Sequence, residues 1–345
     1  MSDAAGVHKT DVIIIGAGPV GLFAVFELGL LGLTTHVVDI LDRPGGQCAE
    51  LYPEKAILDI PSRLKITGQE LVNDLMAQIA PFKPVMHLSR MADKLEKLEN
   101  GHFRVTLDLG EVIEAPVVCI AGGGGSFTPK KPKLDGLDEF EKGGSVYYSV
   151  RKMDHFRGKN VMIAGGGDSA LDWTVNLNPI VSGMSLVHRR NEFRGMQATV
   201  DQMYALVKAG KVSLNIGDIV RLNGAGGVLK SVTLKNAEKG EYEVPCDVFL
   251  PFYGLTMKLG PIANWGINID SNKIPVSTES FETSVKGIFC IGDMCDYPGK
   301  LKLILSGFHE SALMAHGSFH YARPNQKLKF EHTTSSSSIQ AKIGG

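Results

Sequence analysis

An α/β fold with two dinucleotide-binding βαβ units is predicted by three observations. A strand run Asp11-Val12-Ile13-Ile14-Ile15 breaks into Gly16-Ala17-Gly18-Pro19-Val20-Gly21 and a helix. A second strand, Asn160-Val161-Met162-Ile163-Ala164, breaks in the same way into Gly165-Gly166-Gly167-Asp168-Ser169-Ala170. The charged residues that close the two units stand at one spacing, Asp39 21 positions beyond Gly18 and His188 21 positions beyond Gly167.

In the first unit the glycines permit a tight turn and let backbone approach a pyrophosphate at the N-terminus of the helix that includes Leu22 to Leu28. Thr35 to Val38 is the next strand, and Asp39 at its end is placed to accept a hydrogen bond from a ribose hydroxyl. Val12 to Leu33 is nearly uncharged and has the length of a membrane span. Its glycines, Pro19, Glu27 and the strand that follows argue for the βαβ reading instead.

The length of 345 residues suits two domains, and 40 glycines with 43% hydrophobic residues describe a turn-rich α/β protein. A net charge of -1 provides no field to steer the chain to nucleic acid or an anionic membrane. Met1 to Thr10 has no apolar signal core, so a cytoplasmic location is expected. The five cysteines, Cys48, Cys119, Cys246, Cys290 and Cys295, are scattered without C-x-x-C spacing, which predicts reduced structural thiols and no metal site.

Arg43-Pro44-Gly45-Gly46-Gln47 reads as a turn too glycine-rich for a helix, Gly68 to Ala80 as a helix and Val85 to Leu88 as a strand. Met91 to Leu98, Phe103 to Leu109 and Val112 to Ala115 alternate as a small antiparallel meander. The buried strand Val117 to Ile120 runs into Ala121-Gly122-Gly123-Gly124-Gly125, a candidate hinge or a plain flexible loop. In the second unit, Met184 to Val187 leads into His188-Arg189-Arg190. Guanidinium groups there suit a 2′-phosphate that a carboxylate would repel, and Arg194 can join them. Val212 to Asn215, Val228 to Lys235 and Tyr242 to Val244 read as further strands, and a domain crossing is expected near Val248 to Gly254. Gly287 to Asp293 is a strand closing on Gly292-Asp293, followed by a helix from about Leu301 to Tyr321. Thr333 to Ser338 is a hydroxyl-rich stretch that composition alone calls disordered.

Two such units, the terminal Gly292-Asp293 and the run His188-Arg189-Arg190-x-x-Phe193-Arg194 together resemble the two-domain pyridine nucleotide flavoprotein reductases, specifically the low-molecular-weight thioredoxin reductases. That resemblance implies two three-layer Rossmann-like domains, an FAD domain of residues 1–128 and 250–330 with an NADPH domain of residues 129–249 inserted into it. It implies FAD contacts at Gly16, Gly18, Pro19, Asp39, Gln47 and Asp293, and NADPH contacts at Gly165, Gly167, Asp168, Ser169, Arg189, Arg190 and Arg194.

The chain departs from those reductases where they carry a C-x-x-C dithiol, since Ser145 to Lys152 contains no cysteine. Cys48 has no nearby partner either, and Tyr52-Pro53 occupies the place where glutathione reductases carry their second thiol. The segment Gly45-Gly46-Gln47-x-x-x-Leu51-Tyr52-Pro53-Glu54-Lys55 and the stretch Glu331-His332-Thr333-Thr334-Ser335 are similar to the thioredoxin-reductase-like ferredoxin-NADP reductases. That likeness implies Tyr52 beneath the flavin and Ala92 and Phe127 in contact with FAD. It further implies a tail, residues 331–345, that brings His332, Thr333 and Thr334 to the flavin of the partner subunit in a homodimer. Tyr52 and His332 would stack and gate, with no side-chain acid or base. The implied activity passes electrons between NADPH and ferredoxin, an acidic partner. Lys130, Lys131, Lys133, Arg151, Lys152, Lys300 and Lys302 are candidates to meet it. A reductase of flavodoxin, a quinone or free flavin, and a non-catalytic sensor that holds both nucleotides, are the alternatives.

Overall fold

The computed structural model describes residues 6–328, apart from the side chains of Phe127 and Met257. His332, Thr333 and Thr334 lie outside the described residues. The chain forms two compact units, one running up to Phe127 and resuming at Met257, the other Thr128–Thr256. No helix among the described residues is long and apolar enough to cross a membrane.

The discontinuous unit is built on a five-stranded parallel sheet in the order Ile288–Cys290, Val117–Ile120, Val12–Ile15, Thr35–Asp39, Val85–Leu88. Val12, Ile13, Ile14 and Val117 to Ile120 are fully buried. Their β-branched run fits a central strand covered on both faces. The helices Pro19–Leu30, Gly68–Ile79 and Ile304–Ala322 pack in this unit, the first against both of the others. Helix Gly68–Ile79 starts where the sequence signals it, because Thr67 and Glu70 form a reciprocal capping box.

The predicted meander is present as Ala92–Lys97, Phe103–Leu107 and Val112–Ala115, with His8–Lys9 added in parallel at its edge. Its alternate residues Phe103, Val105 and Leu107 join the same apolar core as the parallel sheet and the helices. Gly46, by contrast, opens a short helix, Gly46–Leu51, where the sequence reading expected only a turn. Gly45 and Gly46 take positive φ angles of 116° and 53°, so the two glycines make the entry bend and Gln47 to Leu51 carry the helix.

The inserted unit has its own parallel sheet, ordered Ser213–Ile216, Gly183–His188, Asn160–Ala164, Val248–Pro251. Helices Asp168–Leu177 and Gln197–Lys208 pack on each other beside it, and Asp218–Ala225, Val228–Asn236 and Gly240–Pro245 form an antiparallel ribbon. Strand Val248–Pro251 is hydrogen-bonded along Asn160–Ala164, so the chain leaves this unit at Thr256 rather than near residue 250.

Candidate functional site

The discontinuous unit contains a cavity at the C-terminal ends of its parallel strands, the position where open α/β sheets bind ligands. Gly16 at its floor has a φ of 112°, and a Cβ there would stand 2.3 Å from the Ala121 carbonyl oxygen. A Cβ on Gly21 would stand 2.0 Å from the Gly16 oxygen. Both glycines are therefore required by close approach of backbone to backbone. Gly18 has open space where its side chain would be, and Gly18, Pro19 and Val20 line the cavity. Helix Pro19–Leu30 begins here with no side-chain cap and no acid in its first turn. Its positive end is thus left to an external anion such as a pyrophosphate.

Asp39 closes strand Thr35–Asp39 at the cavity wall. Its Oδ2 accepts from Ala17 N–H at 2.6 Å and its Oδ1 from Leu41 N–H at 2.8 Å. The carboxylate is fixed before any ligand arrives, and each oxygen keeps a lone pair for a ribose hydroxyl. Burial raises the Asp39 pKa above its ordinary value, and the two backbone donors work against that rise.

Tyr52, Gln47 and Asp293 line the same cavity. Cys48 Sγ donates to the Tyr52 hydroxyl at 3.6 Å. Burial pushes the Cys48 thiol up to about 11 and drives the Tyr52 hydroxyl higher still. Neither group ionises near neutral pH, so Tyr52 presents a neutral ring and Cys48 provides no thiolate. Asp293 lies in the turn Gly292–Met294, and its carbonyl oxygen accepts from Lys273 Nζ.

In the inserted unit, helix Asp168–Leu177 starts directly after Gly165-Gly166-Gly167, with Gly165 at a φ of 150°. His188 fills the position that Asp39 holds in the first unit, but it packs on its turn instead of hydrogen-bonding to it. A Cβ on Gly166 would meet His188 Nε2 at 2.4 Å, and the Phe193 ring lies 5.3 Å from the imidazole. Burial lowers the His188 pKa, against a backbone hydrogen bond at Glu192 that raises it and with smaller lowering contributions from the Arg189, Arg190 and Arg194 charges. The arginine loop is tied back to the turn, since Arg194 N–H donates to Gly166 O at 2.7 Å and Met196 N–H to Asp168 Oδ1 at 2.9 Å. Arg189, Arg190 and Arg194 are solvent-exposed beside it.

The first cavity gathers Gly16, Gly18, Pro19, Asp39, Gln47, Tyr52, Ala92 and Asp293 from the sequence expectation. The Phe127 side chain lies outside the described residues, while its backbone belongs to strand Ser126–Pro129. The glycine run after Ile120, read as a hinge or loop, forms part of the wall through Gly122, Gly123 and Gly125. Sequence reasoning missed Arg90 and the Leu259–Ile262 segment, which also line it, and it named Lys302, another lining residue, only as a candidate to meet an acidic partner. Only the tertiary fold brings these to the site, and no local pattern marks them. Lys300 was expected to face a partner, yet its side chain is only 7% exposed and pairs with Glu310.

All five cysteines are free and buried. Although scattered in sequence, Cys119, Cys290 and Cys295 gather behind the cavity closely enough to influence one another's charge. Burial holds all three thiols protonated. Among the described residues no His, Cys, Asp or Glu cluster can hold a metal ion.

Comparison with known proteins agrees with this architecture. The chain is 59% identical over 335 residues to a protein of Parvibaculum lavamentivorans named ferredoxin–NADP reductase, with 97% of each chain covered. It is 58% identical to one of the same name from Bradyrhizobium sp. strain BTAi1, covering 97% of this chain and 98% of that one. Among solved structures it is similar to the thioredoxin reductase of T. acidophilum, with a TM-score of 0.76, 22% identity, and 92% of this chain and all (100%) of that chain covered. The Lactococcus lactis thioredoxin reductase gives a TM-score of 0.75 at 21% identity, covering 91% of this chain and 99% of that chain. At such identities the likeness establishes the fold alone, two Rossmann-like units as in those reductases. The model of the pyridine nucleotide-disulphide oxidoreductase family matches residues 10–316, and the chain belongs to that family.

Proposed function

We propose that the protein is a ferredoxin–NADP reductase, an FAD enzyme that passes electrons between NADPH and ferredoxin. The observation that carries this reading is the likeness, at 56–59% identity over nearly the whole chain, to proteins of that name. The chain's thiol chemistry supports it. No described cysteine is both accessible and ionisable, so electrons have no dithiol to pass through.

The uncapped helix at Gly18, the prepositioned Asp39 carboxylate and the neutral Tyr52 ring fit FAD. Gly16, Gly18, Pro19, Asp39, Gln47, Tyr52, Ala92 and Asp293 would hold it. Gly165, Gly167, Asp168, Ser169, Arg189, Arg190 and Arg194 would hold NADPH, with the exposed arginines available for a 2′-phosphate. When bound, a flavin accepts the two electrons of a hydride and releases them one at a time. The chain's own contribution is orientation: Asp39 fixes the ribose end, and Tyr52 supplies a flat apolar face that excludes water. Asp168 acts through the loop it ties to the turn, holding the arginines in register. No side chain is assigned to proton transfer.

The enzyme acts as a homodimer in the cytoplasm, with Phe127 near FAD and His332, Thr333 and Thr334 reaching the flavin of the partner subunit. The free thiols of the described residues fit a reducing compartment. Stopped-flow oxidation of the NADPH-reduced protein by ferredoxin and by flavodoxin tests the assignment. Faster turnover with ferredoxin is expected. A purified protein that binds no FAD, or that NADPH does not bleach, would refute it.

A further inference from the structure

Glu310, in helix Ile304–Ala322, is completely buried, and its carboxylate is surrounded by donors. Oε2 accepts from Gly292 N–H at 2.6 Å and from Cys295 Sγ at 3.5 Å; Oε1 accepts from the Tyr297 hydroxyl at 2.8 Å and from Lys300 Nζ. Gly292 opens the turn that carries Asp293 into the cavity. One helical position further on, Ser311 Oγ donates to Val20 O at 3.2 Å. A Cβ on Gly307, one turn earlier, would strike the Val20 side chain at 2.2 Å. Val20 belongs to the glycine-turn helix, lines the cavity and lies against Gly292, where an added Cβ would stand 3.5 Å from it.

A buried carboxylate–ammonium pair adds little stability over apolar side chains of the same volume. Stability alone therefore does not account for an ion pair at this place, whereas the backbone bond to Gly292 does. We propose that Glu310, held by Lys300 and Tyr297, is a positioning residue that fixes the Gly292–Asp293 turn against the FAD site. Helix Ile304–Ala322 thereby registers two adjoining segments that line that site, Asp293 through Glu310 and Val20 through Ser311 and Gly307. This inference rests on the FAD reading above.

The test titrates FAD into apoprotein by flavin fluorescence, with 2′,5′-ADP binding measured in parallel as a control on the inserted unit. In E310Q the amide oxygen cannot serve all four donors, and its NH₂ faces a shell of donors. The expected result is an FAD dissociation constant raised about tenfold, the loss of one charge-assisted hydrogen bond, and a shifted flavin absorbance band. The 2′,5′-ADP affinity should not change. The double variant K300M/E310L removes the ion pair without leaving a lone charge. It should unfold at a temperature close to that of the unmodified protein and still lose FAD affinity. If the double variant does not fold, E310Q alone decides. Unchanged FAD affinity and spectrum in a folded E310Q would overturn the inference. So would a loss shared equally by 2′,5′-ADP, which would mark general loosening. Failure of the unmodified chain to bind FAD would instead overturn the functional reading.

Discussion

Acid should destabilise the discontinuous unit through one imidazole pair. His36 Nδ1 lies 3.0 Å from His87 Nε2 on the neighbouring strand, and the His8 ring sits 5.6 Å from His36 and 5.4 Å from His87. Beyond His87 stands Glu111, 3.7 Å away, whose carboxylate is already engaged by Arg90 at 3.0 Å. Burial, then the neighbouring His87 and His8, hold the His36 pKa down to about 4 from 6.5. Burial lowers His87 as well, against the pull of Glu111. The folded state thus refuses a proton that the unfolded chain takes up at pH 6.5. Stability is complete above that pH and is lost as pH falls toward 4. The depression corresponds to about 3 kcal/mol in total, of which about 2 kcal/mol is gone by pH 5. The assay is urea unfolding at pH 7.5 and pH 5.0 in a Trp173→Phe background, where Trp265 alone reports on this unit. H36Q keeps a polar partner for His87 but does not titrate, so it should lose about 2 kcal/mol less over that interval. Equal losses in both proteins would show that the imidazole pair is not the acid-sensitive element.

Three further outcomes are expected. Replacing both Arg189 and Arg190 by alanine should raise the KM for NADPH at least about tenfold more than that for NADH, since each charge-assisted bond to the 2′-phosphate is worth about 1.5 to 3 kcal/mol. Equal effects on the two cofactors would remove those arginines from the site. Converting all five cysteines to alanine should leave NADPH-driven ferricyanide reduction largely intact in the folded, FAD-loaded protein, and its loss would reveal a catalytic thiol. Truncation before Glu331 should retain FAD yet change the rate of flavin reduction by NADPH and the flavin band shape; identical spectra and kinetics would deny the tail any part in gating.

What the sequence made legible follows from where the physics is local. Asp39 was identifiable because a βαβ unit fixes the number of residues between its glycine turn and the end of its second strand. Helix Gly68–Ile79 was legible as well, and the Thr67–Glu70 capping box that the structure shows at its start is equally local, its partners lying within four residues. Arg90 and Pro261 come to the cavity only through the tertiary fold, and nothing near them in the chain records that. Lys300 misled because a lysine is normally solvated, and its buried partner Glu310 becomes visible only when helix Ile304–Ala322 docks. Strand Asp218–Ala225 escaped notice because it is mostly exposed, so its alternation carries no apolar contrast.

The pairing of Val118 with Ile288 bears on how the molecule is made. Strand Val117–Ile120 leaves the ribosome with one partner, Val12–Ile15, already synthesised, and its other edge stays open until residue 288 emerges. At 5 to 20 residues per second, that wait is roughly 10 to 30 s. The inserted unit contains every strand of its own parallel sheet and can be complete within that interval. Its translation is therefore a delay imposed on the first sheet, during which a fully apolar strand edge stays exposed to other nascent chains. Chaperone demand should accordingly be greatest in that interval and fall once Ile288–Cys290 is in place.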